Sequence, residues 1–213
     1  KGCGRTQRQH RPFDQTLIKG WEGRKRLFRT QLSWFRRRTL GNFVVQYSSQ
    51  HVTKKRLAVK KDENAMVPVI QQFNPHTFNF NKINPEEVIA DVRMYELGPL
   101  SWLWKTKKSR LRDVTARVMI NISPLAPAHC VVAVRPKNCL PQILTRDSLE
   151  LGLAMLKDSR RSDIKVLFNS LGAYASQNHL HMHIVYLKGL GFPEDRLALE
   201  HAASEESSTS SST

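Results

Sequence analysis

The sequence predicts an α+β protein built on an antiparallel sheet. Two observations carry this prediction: several short β-rich runs are separated by turn residues, and one strongly helical stretch falls between two such runs late in the chain. Crossovers of the strand–helix–strand kind, which mark parallel sheets, are few. At 213 residues with 40% hydrophobic content, the chain is long enough for one sizeable core.

Residues 1–11 read as a disordered basic end. From Pro12 to Arg38, Leu17, Trp21, Leu27, Phe28, Leu32 and Phe35 recur mostly three, four or seven apart, which predicts a basic N-terminal helix weakened by Gly20 and Gly23. Gly41 and Asn42 are expected to end that helix. Phe43 to Tyr47 reads as a strand, and a basic polar linker closes this first region, 12–66.

The second region, 67–193, is predicted to be the functional half. Thr77 to Asn81 alternates apolar and polar residues and is expected as a strand; Asn84-Pro85 marks a turn, and Val88 to Tyr95 is the next strand. Residues 100–113, with Trp102, Trp104 and a run of basic residues, read as an exposed loop or hairpin tip. Val114–Ile122 and His129–Val134 are strands on either side of a turn forced by Ser123-Pro-Leu-Ala-Pro127. Thr145 to Lys157 is a helix with Leu149, Leu153 and Leu156 on one face, and Asp147 and Glu150 have capping-box spacing. Ile164–Asn169 and Leu180–Leu187 are the last strands, and the Ser-rich segment 194–213 is expected to be disordered.

Charge and cysteine content narrow the function classes. Of the net +16, residues 1–61 hold 17 Lys and Arg against Asp14 and Glu22, or +15, leaving 17 against 16, or +1, for residues 62–213. Such a segment can steer anions or touch nucleic acid, or it is simply a solvated basic face. No apolar run approaches about 18 residues, so no membrane partner is expected. The opening Lys1-Gly-Cys-Gly-Arg5 is not followed by an apolar leader, and three cysteines (Cys3, Cys130, Cys139) without metal-site spacing fit reduced thiols; a cytoplasmic location is expected.

The chemistry concentrates at His179, His181 and His183. At strand periodicity the three rings share one face while Leu180, Met182, Ile184 and Tyr186 take the other. Crowded imidazoles depress one another's protonation, leaving a neutral ring as a nucleophile for phosphorus and a neighbour as a donor. A metal tripod and a merely solvated or packed histidine strand remain alternatives. Just upstream, 168–177 forms a small polar loop in which backbone N–H groups around Gly172, with the side chains of Asn169 and Ser176, are candidates to cradle a phosphate.

At these residues the chain resembles the histidine-triad superfamily, whose strand motif is His-x-His-x-His. The segment Asn121-Ile-Ser-Pro-Leu-Ala-Pro-Ala-His129 is similar to that superfamily's nucleoside pocket, which implies Asn121 against the ribose and Ile122 against the base. Within it the chain looks like the branch of animal GDP-D-glucose phosphorylases and related plant GDP-L-galactose phosphorylases. The resemblance rests on Arg11-Pro-Phe-Asp14, Phe78-Asn-Phe-Asn-Lys-Ile83, Pro85 to Val88, Asn121 to Pro124, Leu140-Pro-Gln142, Phe168 to Gly172 and Asn178-His-Leu-His181.

It implies a histidine-triad-like antiparallel sheet with a packed helix. The implied partners are GDP-D-glucose and inorganic phosphate, with no cofactor. His181 would be the residue that takes the nucleotide, His183 a weak acid and His179 an orienting group. Nucleic acid is a weaker candidate partner, and a homodimer is a further candidate; members of the branch continue well past this strand into a second, related half, which implies a fragment, a short isoform or an inactive variant. A nucleotide hydrolase of the same superfamily, or a basic binding module without turnover, are the competing functions. Arg117 stands where the branch has an apolar residue and needs a partner if buried.

Overall fold

The computed structural model describes residues 13–24, 36–40, 43–47, 70–93, 115–173 and 175–187. Expectations for the two ends, the basic linker and the Trp102/Trp104 segment lie outside the described residues. The elements are α1 (Phe13–Gly23), β1 (Arg36–Leu40), β2 (Phe43–Tyr47), β3 (Val88–Arg93), β4 (Thr115–Ile120), β5 (Cys130–Val134), α2 (Arg146–Asp158), β6 (Ile164–Leu167) and β7 (His181–Tyr186). Strands β3 to β7 form one antiparallel sheet in the order β3-β4-β5-β7-β6, and β1 pairs with β2 in a separate two-stranded sheet. The α+β architecture follows.

Three local expectations are corrected. The helix predicted to reach Arg38 stops at Gly23, and residues 36–38 lie in β1. Gly41 and Asn42, expected to end that helix, lie outside the described residues. Helix α1 itself is not basic, since it holds Lys19 against Asp14 and Glu22; its C-terminal carbonyls are met by Arg24, which donates to the Gly20 carbonyl at 3.0 Å and reaches across to the Glu86 carbonyl at 2.8 Å.

The second correction concerns 77–81. In place of a strand there is a turn and a 3-10 segment, Phe80–Lys82, because the Asn79 side chain accepts the Asn81 N–H at 3.1 Å. Asn84 does the same for Glu86 at 3.0 Å, starting the turn Pro85–Glu87. Asparagine offers its backbone a local partner and so competes with the ladder.

The third concerns α2. Its cap is Thr145 with Ser148, each side chain bonding the other's backbone N–H, and not Asp147 with Glu150. Asp147 instead pairs with Arg135 at 2.9 Å. Leu149, Leu153 and Leu156 do share a face, but it is the outer one, with 51%, 56% and 39% exposure. The helix meets the sheet through Ser148, Leu151, Gly152, Ala154 and Met155. The small residues permit close approach: a Cβ on Gly152 would lie 3.4 Å from Val166 Cγ1 of β6.

One sheet face carries the main core, where Phe13, Leu17 and Trp21 of α1 and Leu151, Ala154 and Met155 of α2 pack on Val118, Val132, Leu180, Met182 and Ile184. Gly20 lets Ile89 of β3 sit flush against α1, since a Cβ there would overlap Ile89 Cγ2. Buried Asp14 fastens α1 to this unit by accepting from Ser159 Oγ (2.7 Å), the Arg160 N–H (2.8 Å) and Tyr186 Oη (3.0 Å). Burial, with Asp14 beside it, pushes the Tyr186 phenol well above its ordinary range, so it remains a donor. Arg117 is partnered by Asp91 through two bonds of 2.8 and 2.9 Å, which also hold the Asp91 carboxyl below its usual range. The opposite sheet face carries a smaller cluster of Phe80, Ile83, Met119, Val131 and Ala133, and it is there that the histidines lie.

Candidate active site

Strand β7 alternates as its sequence requires. Met182, Ile184 and Tyr186 enter the main core, while the rings of His181 and His183 turn to the other face with centroids 5.2 Å apart. They line a pocket of about 330 Å³ together with Asn121, Ile122, Asn169 and Ser176, so six of the eight residues singled out from sequence share one cavity. Gly172 and His179 do not line it. Gly172 is exposed in the turn Leu171–Ala173. His179 lies just before β7, fully buried, with Nδ1 accepting the Phe80 N–H at 3.0 Å and Nε2 donating to the Pro136 carbonyl at 3.1 Å. Both its ring nitrogens are thus engaged, and burial holds its pKa below the ordinary value.

The hydrogen bonds assign the tautomer of each remaining ring. His181 Nδ1 lies 2.8 Å from the His179 carbonyl, which can only accept, so Nδ1 carries the proton and Nε2 the lone pair. The ring is 3% exposed and lies 4.9 Å from that of Phe80. Burial, and secondarily the neighbouring His183, push its pKa down to about 3. His181 is therefore an uncharged imidazole throughout the neutral range.

His129, at the head of β5, was not assigned a role by the sequence. Its Nδ1 accepts the Leu125 N–H at 3.0 Å, so its Nε2 carries hydrogen and donates to His183 Nδ1, also at 3.0 Å. His183 consequently presents an N–H from Nε2. Asn121 lies beside these rings: its Oδ1 accepts the Ser123 N–H at 2.9 Å, while its Nδ2, itself a donor, is 3.1 Å from His129 Nε2 and makes no hydrogen bond with it in this tautomer. Asn169 Nδ2 donates to the Ala173 carbonyl at 3.1 Å, which shapes the loop leading toward Ser176. Phe78 and Phe80, set edge to face at 6.0 Å, supply an apolar wall. The signal for these aromatics was present in Phe78-Asn-Phe-Asn81, read there as an ordinary strand. Among the described residues no group of three or more His, Cys, Asp or Glu could hold a metal ion, and no helix is long and apolar enough to cross a membrane.

A neutral imidazole with a free Nε2 lone pair, beside a ring that donates and a polar loop that brings Ser176 to the pocket, suits attack on a phosphoryl group. Comparison with known proteins bears on this directly. A family model described as GDPGP1-like, N-terminal domain, matches residues 12–185. The chain belongs to the GDPGP1-like family.

Among GDPGP1-like relatives, GDP-D-glucose phosphorylase 1 of Danio rerio is 33% identical over 189 residues, covering 86% of this chain and 49% of that protein. The Homo sapiens protein of the same name is 34% identical over 199 residues, covering 91% of this chain and 46% of that protein. More distant is GDP-L-galactose phosphorylase 1 of Arabidopsis thaliana, 28% identical over 199 residues, with 86% and 42% covered. The chain thus spans about half the length of the curated relatives it matches. No solved structure matches it.

Proposed function

We propose that this chain carries the nucleotide-transfer centre of a GDP-sugar phosphorylase, with GDP-D-glucose as donor and inorganic phosphate as acceptor. The observation that carries the reading is that His181, its Nδ1 engaged by the His179 carbonyl and its Nε2 lone pair unused, lines one pocket with Asn121, Ile122, Asn169 and Ser176. The histidine-triad-like reading of the fold belongs to the same proposal and draws support from the alternation along β7.

In the first step Nε2 of His181 attacks the α-phosphorus; an N–P bond forms, and the P–O bond to the sugar phosphate breaks. Glucose 1-phosphate leaves with that oxygen's electron pair, a good leaving group that needs little acid assistance. The His183 Nε2–H donates a hydrogen bond to the departing oxygen, and the Ser176 hydroxyl meets charge on the non-bridging oxygens. The guanylylated imidazole keeps its Nδ1–H on the His179 carbonyl, which offsets the positive charge the ring acquires. In the second step an oxygen of inorganic phosphate attacks the same phosphorus, the N–P bond breaks, and GDP forms. Ile122 and the Phe78/Phe80 wall would face the base, and Asn121 the ribose.

The test uses GDP-glucose labelled at the α-phosphate. Wild type is expected to form an acid-labile adduct, and His181→Ala and His181→Asn are expected to lose it, with turnover falling about a thousandfold or more. An adduct that survives in both variants moves the nucleophile elsewhere. Release of GMP alone, whether phosphate is present or absent, replaces the phosphorylase with a hydrolase.

A further inference from the structure

The β6–β7 ladder pairs Ile164 with Tyr186 through to Leu167 with His183, and there it stops. Continued by two residues, the register would set Asn169 opposite His181. These are the residues proposed to cradle the phosphate and to attack it, and no strand pairing joins them.

A side chain takes up that place. Gln142, 1% exposed, comes from the Leu140-Pro-Gln142 stretch between β5 and α2. Its Oε1 accepts the His181 N–H at 2.8 Å, and its Nε2 donates to the His181 carbonyl at 3.0 Å and to the Asn169 carbonyl at 2.9 Å. The Gln142 N–H donates in turn to Asn178 Oδ1 at 2.9 Å, and the Leu180 N–H to the Leu140 carbonyl at 2.8 Å. One amide therefore stands in for a missing rung, bonded to both backbone groups of His181 and to the first residue of the loop.

From this geometry we infer that Gln142 is a positioning residue for phosphoryl transfer, fixing where the His181 ring stands relative to the Asn169–Ser176 loop. It touches neither ring nitrogen of His181 and does not line the pocket. Its effect is therefore on the alignment of nucleophile and cradle. Only an amide fits all three bonds, since it alone presents an acceptor and a two-hydrogen donor in one plane. A displacement of about 1 Å between reacting groups is enough to cost on the order of a hundredfold in rate.

The inference rests on the proposed guanylyl transfer, and the experiment separates the two. The full chain carrying Gln142→Leu, which keeps the side chain's bulk and removes the amide, is compared with wild type and with Leu151→Ala, a core variant remote from the pocket. Three quantities are read: the rate of α-phosphate labelling, the affinity for GDP, and amide hydrogen exchange at His181. In Gln142→Leu labelling is expected to slow on the order of a hundredfold, GDP affinity to change less than about threefold, and exchange at His181 to quicken. Leu151→Ala, although less stable, is expected to label at the wild-type rate in its folded fraction. Gln142→Glu, which keeps an acceptor for the His181 N–H, is expected to label faster than Gln142→Leu, and it replaces that variant in every readout if Gln142→Leu does not fold. A wild-type labelling rate in the Gln142 variants overturns the inference, as does a slowing matched by an equal loss of GDP affinity. If wild type itself never labels, the transfer reading fails. The positioning role for transfer then falls with it, whereas a wild type that labels beside Gln142 variants that label as fast overturns the inference alone.

Discussion

At the scale of single residues, the imidazoles differ by their bonds and not by their spacing. His181, with its pKa pushed down to about 3, remains neutral when the medium is mildly acidic, while an unfolded histidine gains its proton near about pH 6.5. The unfolded chain therefore binds more protons between those values, and this contribution to stability, complete above about pH 6.5, is lost as pH falls toward about 3. His179, lowered in the same direction by burial, adds to it. Stability from urea unfolding is expected to drop between about pH 7.5 and 5, by up to about 1.4 kcal/mol per pH unit for His181, and to drop less in His181→Asn. A second expectation follows from Leu125, His129 and His183, whose hydrogen bonds all point one way. Were His183 to release its Nε2 proton it would become an anionic ring, so it can share that hydrogen and not surrender it. Labelling in heavy water is expected to proceed at nearly the rate in light water, with a ratio of about 1; a ratio of about 3 would show that the proton moves. The shared face of His181 and His183 was legible because alternation decides which way a side chain points; His179, expected beside them, lies ahead of β7 and does not line the pocket. His129 was not, since its role depends on a contact 54 residues along the chain.

At the scale of elements, strands β3 to β7 were legible from their β-rich runs, with bounds within one or two residues where described. What failed to read were segments whose side chains bond their own backbone, such as Asn79 and Asn84, and the orientation of α2. Periodicity identifies a stripe of leucines but does not say that Ser148, Gly152 and Ala154, being small, let the helix approach the sheet on another side. The difference is measurable: Leu153→Lys is expected to change stability by less than about 0.5 kcal/mol, and Leu151→Ala to cost about 2–5 kcal/mol in urea unfolding. Asp14→Ala should cost about 1–3 kcal/mol by the same measurement, because it strands the buried Tyr186 hydroxyl and removes the acceptor of Ser159 Oγ and the Arg160 N–H. Gly20→Ala is expected to destabilise despite its gain of about 1 kcal/mol in helix propensity, and Ile89→Ala in the same chain to relieve it.

At the scale of the molecule, the step in charge near residue 61 is not a step in packing. Phe13, Leu17 and Trp21 come from the cationic part yet share a core with the sheet. Charge and fold are therefore separable by salt. Retention on an immobilised polyanion is expected to weaken steeply as salt rises, since binding of the +15 stretch releases the polyanion's counterions. GDP affinity should change much less, and a nucleotide affinity falling in parallel with polyanion retention would assign both to the same cations.

Strand β7 serves two surfaces with one short run of chain, and that gives it a parity. Adding or deleting a single residue between Asn178 and His181 would exchange odd positions for even ones. The imidazoles would be driven among the aliphatic side chains, and Met182 and Ile184 turned into the cavity. A two-residue change would keep odd and even apart and only slide the histidines along. Variation in length just ahead of β7 is thus expected to survive in steps of two.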